Sequence, residues 1–325
     1  MRSVGHDTFG APDQVLTERE VETPVAGPGQ VLVRTLLSPI HNHDLVTVAG
    51  NYGVKPTLPA VGGTEAVGVV EAVGEGADEA LVGRRVAVAG SPGTWAEYFV
   101  APAGAAIAVP DAMTDEAAAQ LISMPFSAIS LVEFLGVSAG DWIVQTAANG
   151  AVGKIVAVLA KSRGLNVVNL VRREAAVAEL AELGIDNAIA TESADWVAQA
   201  RALIGDDGAR AAVDSVGGDV ANGLAELLGE DGLLVTFGAA SNQPLVISSG
   251  PVIFKQLTVK GFWGAKVSRT TSAEDRARMF GELIGLVLDG SLALTSGGTF
   301  GLDQPTDAVT ASQSPGRTGK IMFRP

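Results

Sequence analysis

Apolar positions along the chain fall into two textures. Up to about residue 110 they come as short β-branched runs, among them Val31–Leu36, Val67–Val73 and Arg85–Val88. Glycine and proline punctuate them at Gly27-Pro28-Gly29, Gly74-Glu75-Gly76 and Ser91-Pro92-Gly93. Short strands at close spacing predict a sandwich or barrel-like unit. The texture changes near Thr114, where Thr114-Asp115-Glu116 ahead of Ala117-Ala118-Ala119 forms a helix start with Thr114 as cap and acids in the first turn. Beyond it, strand-length runs alternate with helical periodicity. Strands are expected at Trp142–Thr146, Asn166–Val171, Ala188–Ala190, Ala211–Asp214, Gly232–Phe237 and Leu257–Phe262. Helices are expected at Val152–Arg163, Glu174–Leu183, Ala194–Leu203 and Val220–Leu228. That alternation predicts an α/β unit: a doubly wound parallel sheet with helices on both faces. A helix at Ala273–Leu288 and a last strand at Lys320–Phe323 follow, and so small a tail is expected to return to the first domain.

Composition narrows the classes of function. The 325 residues are 47% hydrophobic and 18% charged, which suits two packed domains and not disorder. A net charge of −14 repels nucleic-acid phosphates and anionic membrane surfaces, so neither is an expected partner. With no cysteine, disulfides, thiol nucleophiles and thiolate zinc sites are all removed. No apolar run reaches the ~18–20 residues that cross a bilayer. The first residues, Met1 to Asp7, have no apolar signal segment and include an acid, so the expected location is cytoplasmic.

The chemistry enters at Ala148-Asn149-Gly150-Ala151-Val152-Gly153, a G-x-G-x-x-G fingerprint with alanine in the first place. A strand precedes it and a helix and a second strand follow, which is the setting of a dinucleotide turn. There the backbone turns tightly and the pyrophosphate sits over free amides at the positive end of the helix. An ordinary βα turn using glycine for packing is the plainer reading. The second strand runs out into Arg172-Arg173, where an NAD site carries Asp or Glu. Arginine suits the 2′-phosphate of NADPH, although both side chains also read as solvated charges at a helix start.

Four stretches resemble the medium-chain dehydrogenase/reductase superfamily, and within it the trans-2-enoyl thioester reductases. They are Ser38-Pro39-Ile40 through Gly50-Asn51-Tyr52-Gly53; Leu58 to Glu65; Gly93-Thr94-Trp95; and Val235-Thr236-Phe237-Gly238 through Phe254-Lys255 to Gly261-Phe262-Trp263. The resemblance implies a GroES-like β-rich catalytic domain (1–116 and 266–325) and a Rossmann domain (117–265). It implies Tyr52 as the catalytic residue; the only other tyrosine, Tyr98, sits in a strand-like run and reads as packing. It also implies NADPH contacts from Ser127, Phe237, Gly238, Phe262, Trp263 and Lys320 beside the turn residues, each of which also reads as ordinary packing or surface. Trp263 doubles as a pocket residue, with Asn42 and His43.

Zinc members of the superfamily carry a Gly-His-Glu pattern, and here Thr64 stands at the histidine. A zinc-free enzyme is therefore expected. The alternative is a metal on His41, His43, Asp44 and Glu65, if His41-Asn42-His43 is extended and turns both imidazoles to one face. His41-Asn42-His43-Asp44 also departs from the family's Asn-Pro-Ser-Asp type of sequence, which leaves room for another substrate or a second proton donor.

The expected reaction is hydride transfer from NADPH to the β-carbon of a trans-2-enoyl-CoA or acyl-carrier-protein thioester, with Tyr52 donating to the carbonyl oxygen or the α-carbon. The alternatives are an NADPH:quinone or enone oxidoreductase and a non-catalytic NADPH-binding sensor. A homodimer through the edge at 257–262 is the family-level expectation.

Overall fold

The computed structural model describes residues 1–314, 316 and 318–325. Alternate side chains of strand Gln30–Pro39 are buried, as its period-two pattern requires. Val31 and Val33 enter a core with Ala66, Val70, Val86, Val88 and Phe99. The sheet built on this strand has seven strands in the order 296–300, 320–323, 30–39, 65–73, 85–89 and 107–108, with Tyr98–Pro102 also paired to Gln30–Pro39. A small antiparallel sheet joins Arg2–His6 to Thr17–Glu20 and Ala60–Val61. The C-terminal strand Lys320–Phe323 lies parallel to Ser296–Phe300 and antiparallel to the end of Gln30–Pro39, so the tail does rejoin the β-rich part.

Contacts divide the chain into residues 1–123 with 282–325, and residues 124–281. In the first unit the fully buried Trp95 organises the packing. Its indole N–H donates to the Pro39 carbonyl at 3.2 Å and its ring meets Phe323 edge-on at 5.3 Å. A Cβ on Gly62 or Gly63 would come within 2.3 or 2.4 Å of the indole, so a side chain at either position collides with it. The Leu58–Glu65 and Gly93–Trp95 stretches thus fit against each other.

The second unit is a six-stranded, wholly parallel sheet. Numbered one to six along the chain, its strands lie in the order 3-2-1-4-5-6. The ranges are Trp142–Gln145, Asn166–Val171, Ala188–Ala190, Ala209–Asp214, Leu228–Thr236 and Thr258–Gly261. Leu224, Leu227, Ala200 and Ile204 pack on Val144, Val168 and Leu170, while Ala157, Ala176 and Leu180 pack on Ala148 and Val171. Among the described residues no helix is long and apolar enough to cross a membrane.

Candidate active site

In the second unit, the strand Trp142–Gln145 runs into a turn where Ala147 takes φ 53°, and the helix Ala151–Ser162 begins at Gly150. A Cβ on Gly153 would lie 2.7 Å from the Ala148 Cα and 2.8 Å from the carbonyl oxygens of Ala147 and Ala148. Only glycine lets the helix sit this close to the turn. No side chain caps the helix, so the amides of Ala151, Val152 and Gly153 keep the positive end of its dipole open. Asn149 precedes the cap in the same turn.

Buried polar side chains hold this end of the sheet. Gln145 donates to the Gly153 carbonyl at 2.9 Å and to Asn169 Oδ1 at 2.7 Å. The Asp214 carboxylate accepts the amides of Val216 and Gly217 and the Thr146 hydroxyl. Thr146 in turn accepts the Ser215 amide at 2.7 Å. Sequence reasoning missed this network; its one signal was polar residues inside apolar strands.

Arg172 and Arg173 follow the end of Asn166–Val171, both exposed, and Arg173 stands at the start of helix Glu174–Glu182. Among the described residues neither guanidinium has an ion-pair partner. Gly238 approaches Ser215 closely: a Cβ there would be 2.9 Å from its carbonyl oxygen. Phe262 is buried with its ring 5.2 Å from Phe134 and 5.9 Å from Phe237. The Ser127 hydroxyl lies 3.1 Å from where a Cβ on Gly264 would stand. Trp263 is 44% exposed and Arg269 stacks on it at 5.3 Å.

The first unit holds a second polar cluster, around the helix Asn42–Val48. The extended His41-Asn42-His43 that the metal alternative requires is not found. His41 alone is extended, as the helix N-cap, and its amide donates to Asp44 Oδ2 at 2.9 Å in a capping box. Asn42 and His43 open the helix, with Asn42 exposed and His43 partly buried. The two imidazoles still meet, stacked at 5.1 Å and 12°. His41 is fully buried, with Nε2 at 2.6 Å from Glu65 Oε2. The other Glu65 oxygen accepts the amides of Ile122 and Ser123. Burial pushes the Glu65 carboxyl up to about 7 against the pull of those amides. Burial, and then the positive charge of Lys320, hold the His41 imidazole well below its ordinary value, so it is neutral.

His43 Nε2 lies 2.8 Å from Thr64 Oγ1, and the Thr64 hydroxyl donates to Asp44 Oδ1 at 2.7 Å. A hydroxyl has one proton to give, so the His43 Nε2–H donates and Nδ1 is left for other partners. The Tyr52 ring is 6.0 Å from that of His43, in the loop after the helix. Tyr98 is a partly buried strand residue paired with Arg34. Lys320 is buried in the first unit beside His41.

Family models match in two places: an alcohol dehydrogenase GroES-like domain over residues 27–111 and a zinc-binding dehydrogenase domain over 151–279. A mitochondrial enoyl-[acyl-carrier-protein] reductase of Caenorhabditis elegans is 35% identical over 81% of this chain and 77% of its own. The rat protein of that name is 31% identical over 97% of this chain and 86% of its own. The chain belongs to the medium-chain dehydrogenase/reductase superfamily. A Bacillus thuringiensis crystal structure described as an NADPH:quinone reductase superposes with a TM-score of 0.92, at 29% identity, over 100% of this chain and 98% of that one. A mycobacterial protein solved with NADPH has a TM-score of 0.88, at 26% identity, over the whole of both chains. The protein is an oxidoreductase of this superfamily.

Among the described residues no three His, Cys, Asp or Glu are arranged to hold a metal, and the ring nitrogens nearest Glu65 and Thr64 are hydrogen-bonded to them. A phosphorylated dinucleotide does fit the second unit. The helix at 151 is uncapped, Gly153 admits close backbone packing, and two unpaired guanidiniums follow the next strand.

Proposed function

We infer that the protein reduces the C=C bond of an α,β-unsaturated thioester with NADPH as the reductant. The observation that carries this reading is the 31% identity to an enoyl reductase along 97% of the chain. In this reading the amides of Ala151, Val152 and Gly153 receive the pyrophosphate. Arg172 and Arg173 receive the 2′-phosphate through charge-assisted hydrogen bonds. Ser127, Phe237, Gly238, Phe262 and Trp263 serve the nicotinamide end. The bound cofactor supplies the hydride for the β-carbon.

As that bond forms, negative charge builds on the thioester carbonyl. Tyr52 donates its phenolic O–H where the charge develops. Asn42 and His43 line the substrate side. Replacing Tyr52 by Phe removes the donor and keeps the ring. NADPH oxidation with an enoyl-CoA is expected to slow by roughly 10²-fold or more in kcat, with a smaller change in KM. Unchanged turnover would remove Tyr52 from the mechanism.

The second reading, a quinone or enone reductase, is favoured by the 0.92 superposition on a protein described by that activity. It shares the cofactor. Initial rates on an enoyl-CoA and a simple quinone at equal NADPH separate the two.

A further inference from the structure

NADPH carries two anionic groups, the 2′-phosphate and the pyrophosphate, and in the reading above two separate elements of the second unit receive them. Arg172 and Arg173 follow the strand Asn166–Val171, while the amides of Ala151, Val152 and Gly153 open the helix Ala151–Ser162. A buried line of carboxamides joins the two elements. We propose that Gln145 and Asn169 are positioning residues that fix the spacing between the two phosphate sites and thereby favour the phosphorylated cofactor. This rests on the reading of Arg172 and Arg173 as the 2′-phosphate site.

The pair stands where the sheet calls for apolar side chains. Gln145 and Asn169 are direct neighbours across the parallel ladder of the first two strands, and both are 2% exposed. Val171, on the same face as Asn169 by strand alternation, shares an apolar cluster with Ala157 of the helix. Two carboxamides beneath a helix carry a desolvation cost that a pair of aliphatic side chains does not. Three directed bonds offset it. Gln145 Nε2 donates to the Gly153 carbonyl at 2.9 Å and to Asn169 Oδ1 at 2.7 Å. Asn169 Nδ2 donates to the Asp186 carbonyl at 2.8 Å. The line runs from the first turn of the helix, across two strands, to the loop ahead of Ala188–Ala190.

Such bonds fix length and direction, which apolar contacts do not. The Gly153 carbonyl belongs to a peptide unit whose other end, the Lys154 N–H, donates to the Gly150 carbonyl at 3.0 Å. Both ends of that peptide are held, so the first turn cannot slide along the strands without breaking the bond to Gln145. Asn169 lies on the strand that runs out into Arg172, three residues later. An apolar pair of the same size would fill the space and leave the turn free to shift against that strand. A ligand gripped at one point is indifferent to such a shift. One gripped at two points is not, because the effective concentration of the second phosphate at its site falls when the span is wrong.

The test is binding by calorimetry in a cycle of four full-length proteins: wild type, Gln145→Met, Arg172→Ala with Arg173→Ala, and all three changes together. Methionine matches glutamine in length and donates nothing. Gln145→Met is expected to weaken NADPH roughly tenfold. Without the two arginines the same change is expected to cost about twofold or less, since one grip remains and there is no span to keep. NADH, which has no 2′-phosphate, is expected to show that same small effect with the arginines present. Equal losses of NADPH in both backgrounds, equal losses of NADPH and NADH, or unchanged NADPH affinity in Gln145→Met would overturn the proposal. Full NADPH affinity in the protein lacking both arginines would instead remove the reading beneath it. Should Gln145→Met fail to fold, Asn169→Val cuts the line on the neighbouring strand and is read in the same two backgrounds, with the same expected losses.

Discussion

Glu65 has no solvent contact, and its carboxyl is held between His41 and two backbone amides. Its folded value of about 7 lies above the ordinary 4.5. The stability associated with the neutral acid is therefore fully present below pH 4.5 and is lost as pH rises through about 7. Glu65→Gln cannot ionise. Relative to wild type it is expected to gain roughly 2–3 kcal/mol between pH 5 and pH 8 in denaturant titrations. Parallel pH profiles for the two proteins would show that the wild-type carboxyl carries the same charge folded and unfolded. Residues of this kind were poorly legible in the sequence. His41, His43, Asp44 and Glu65 were visible as a group. Thr64, which bonds both His43 and Asp44, was marked by sequence alone only as a missing ligand. Tyr52 was singled out by family resemblance alone; its own neighbourhood in sequence, a Gly-Asn-Tyr-Gly turn, carries no chemical signal.

The turn at 148–153 shows how far pattern goes at the scale of elements. A strand, a glycine-rich turn and a helix were expected and are present, with the helix starting at Ala151, one residue earlier than its apolar pattern. Gly153→Ala places a methyl 2.7 Å from Ala148 Cα. The expected result is a loss of about 1–3 kcal/mol in stability, with weaker NADPH binding by calorimetry. Arg172→Ala with Arg173→Ala tests a different link. NADPH affinity is expected to fall by roughly ten- to a hundredfold while NADH affinity barely changes, because only the 2′-phosphate is lost as a partner. Equal losses for both cofactors would contradict that assignment. Long periodic helices and buried parallel strands were legible because their pattern is set by the core. The helix Asn42–Val48 was not: it is seven residues long and is started by a histidine cap and Asp44. The strands Arg2–His6, Thr17–Glu20 and Ala60–Val61 were also missed, since their pairing is set by partners distant in sequence.

Over the whole molecule, the sequence conveyed the change of texture near Thr114 and the return of the last strand. What it could not convey is why the family-like stretches look as they do. Gly62 and Gly63 are fixed by the indole of Trp95, which comes from a loop some thirty residues later. Gly62→Ala is accordingly expected to cost about 1–3 kcal/mol in thermal unfolding, with no direct effect on the reacting groups. The central claim concerns the reaction. It is tested most directly by initial rates of cofactor oxidation on crotonyl-CoA and a simple quinone, each with NADPH and with NADH. The expected result is turnover of crotonyl-CoA with NADPH at a kcat/KM at least about tenfold above the other three combinations, a margin of about 1.4 kcal/mol. A quinone rate that exceeds the enoyl-CoA rate, or no oxidation of NADPH with either substrate, would contradict it.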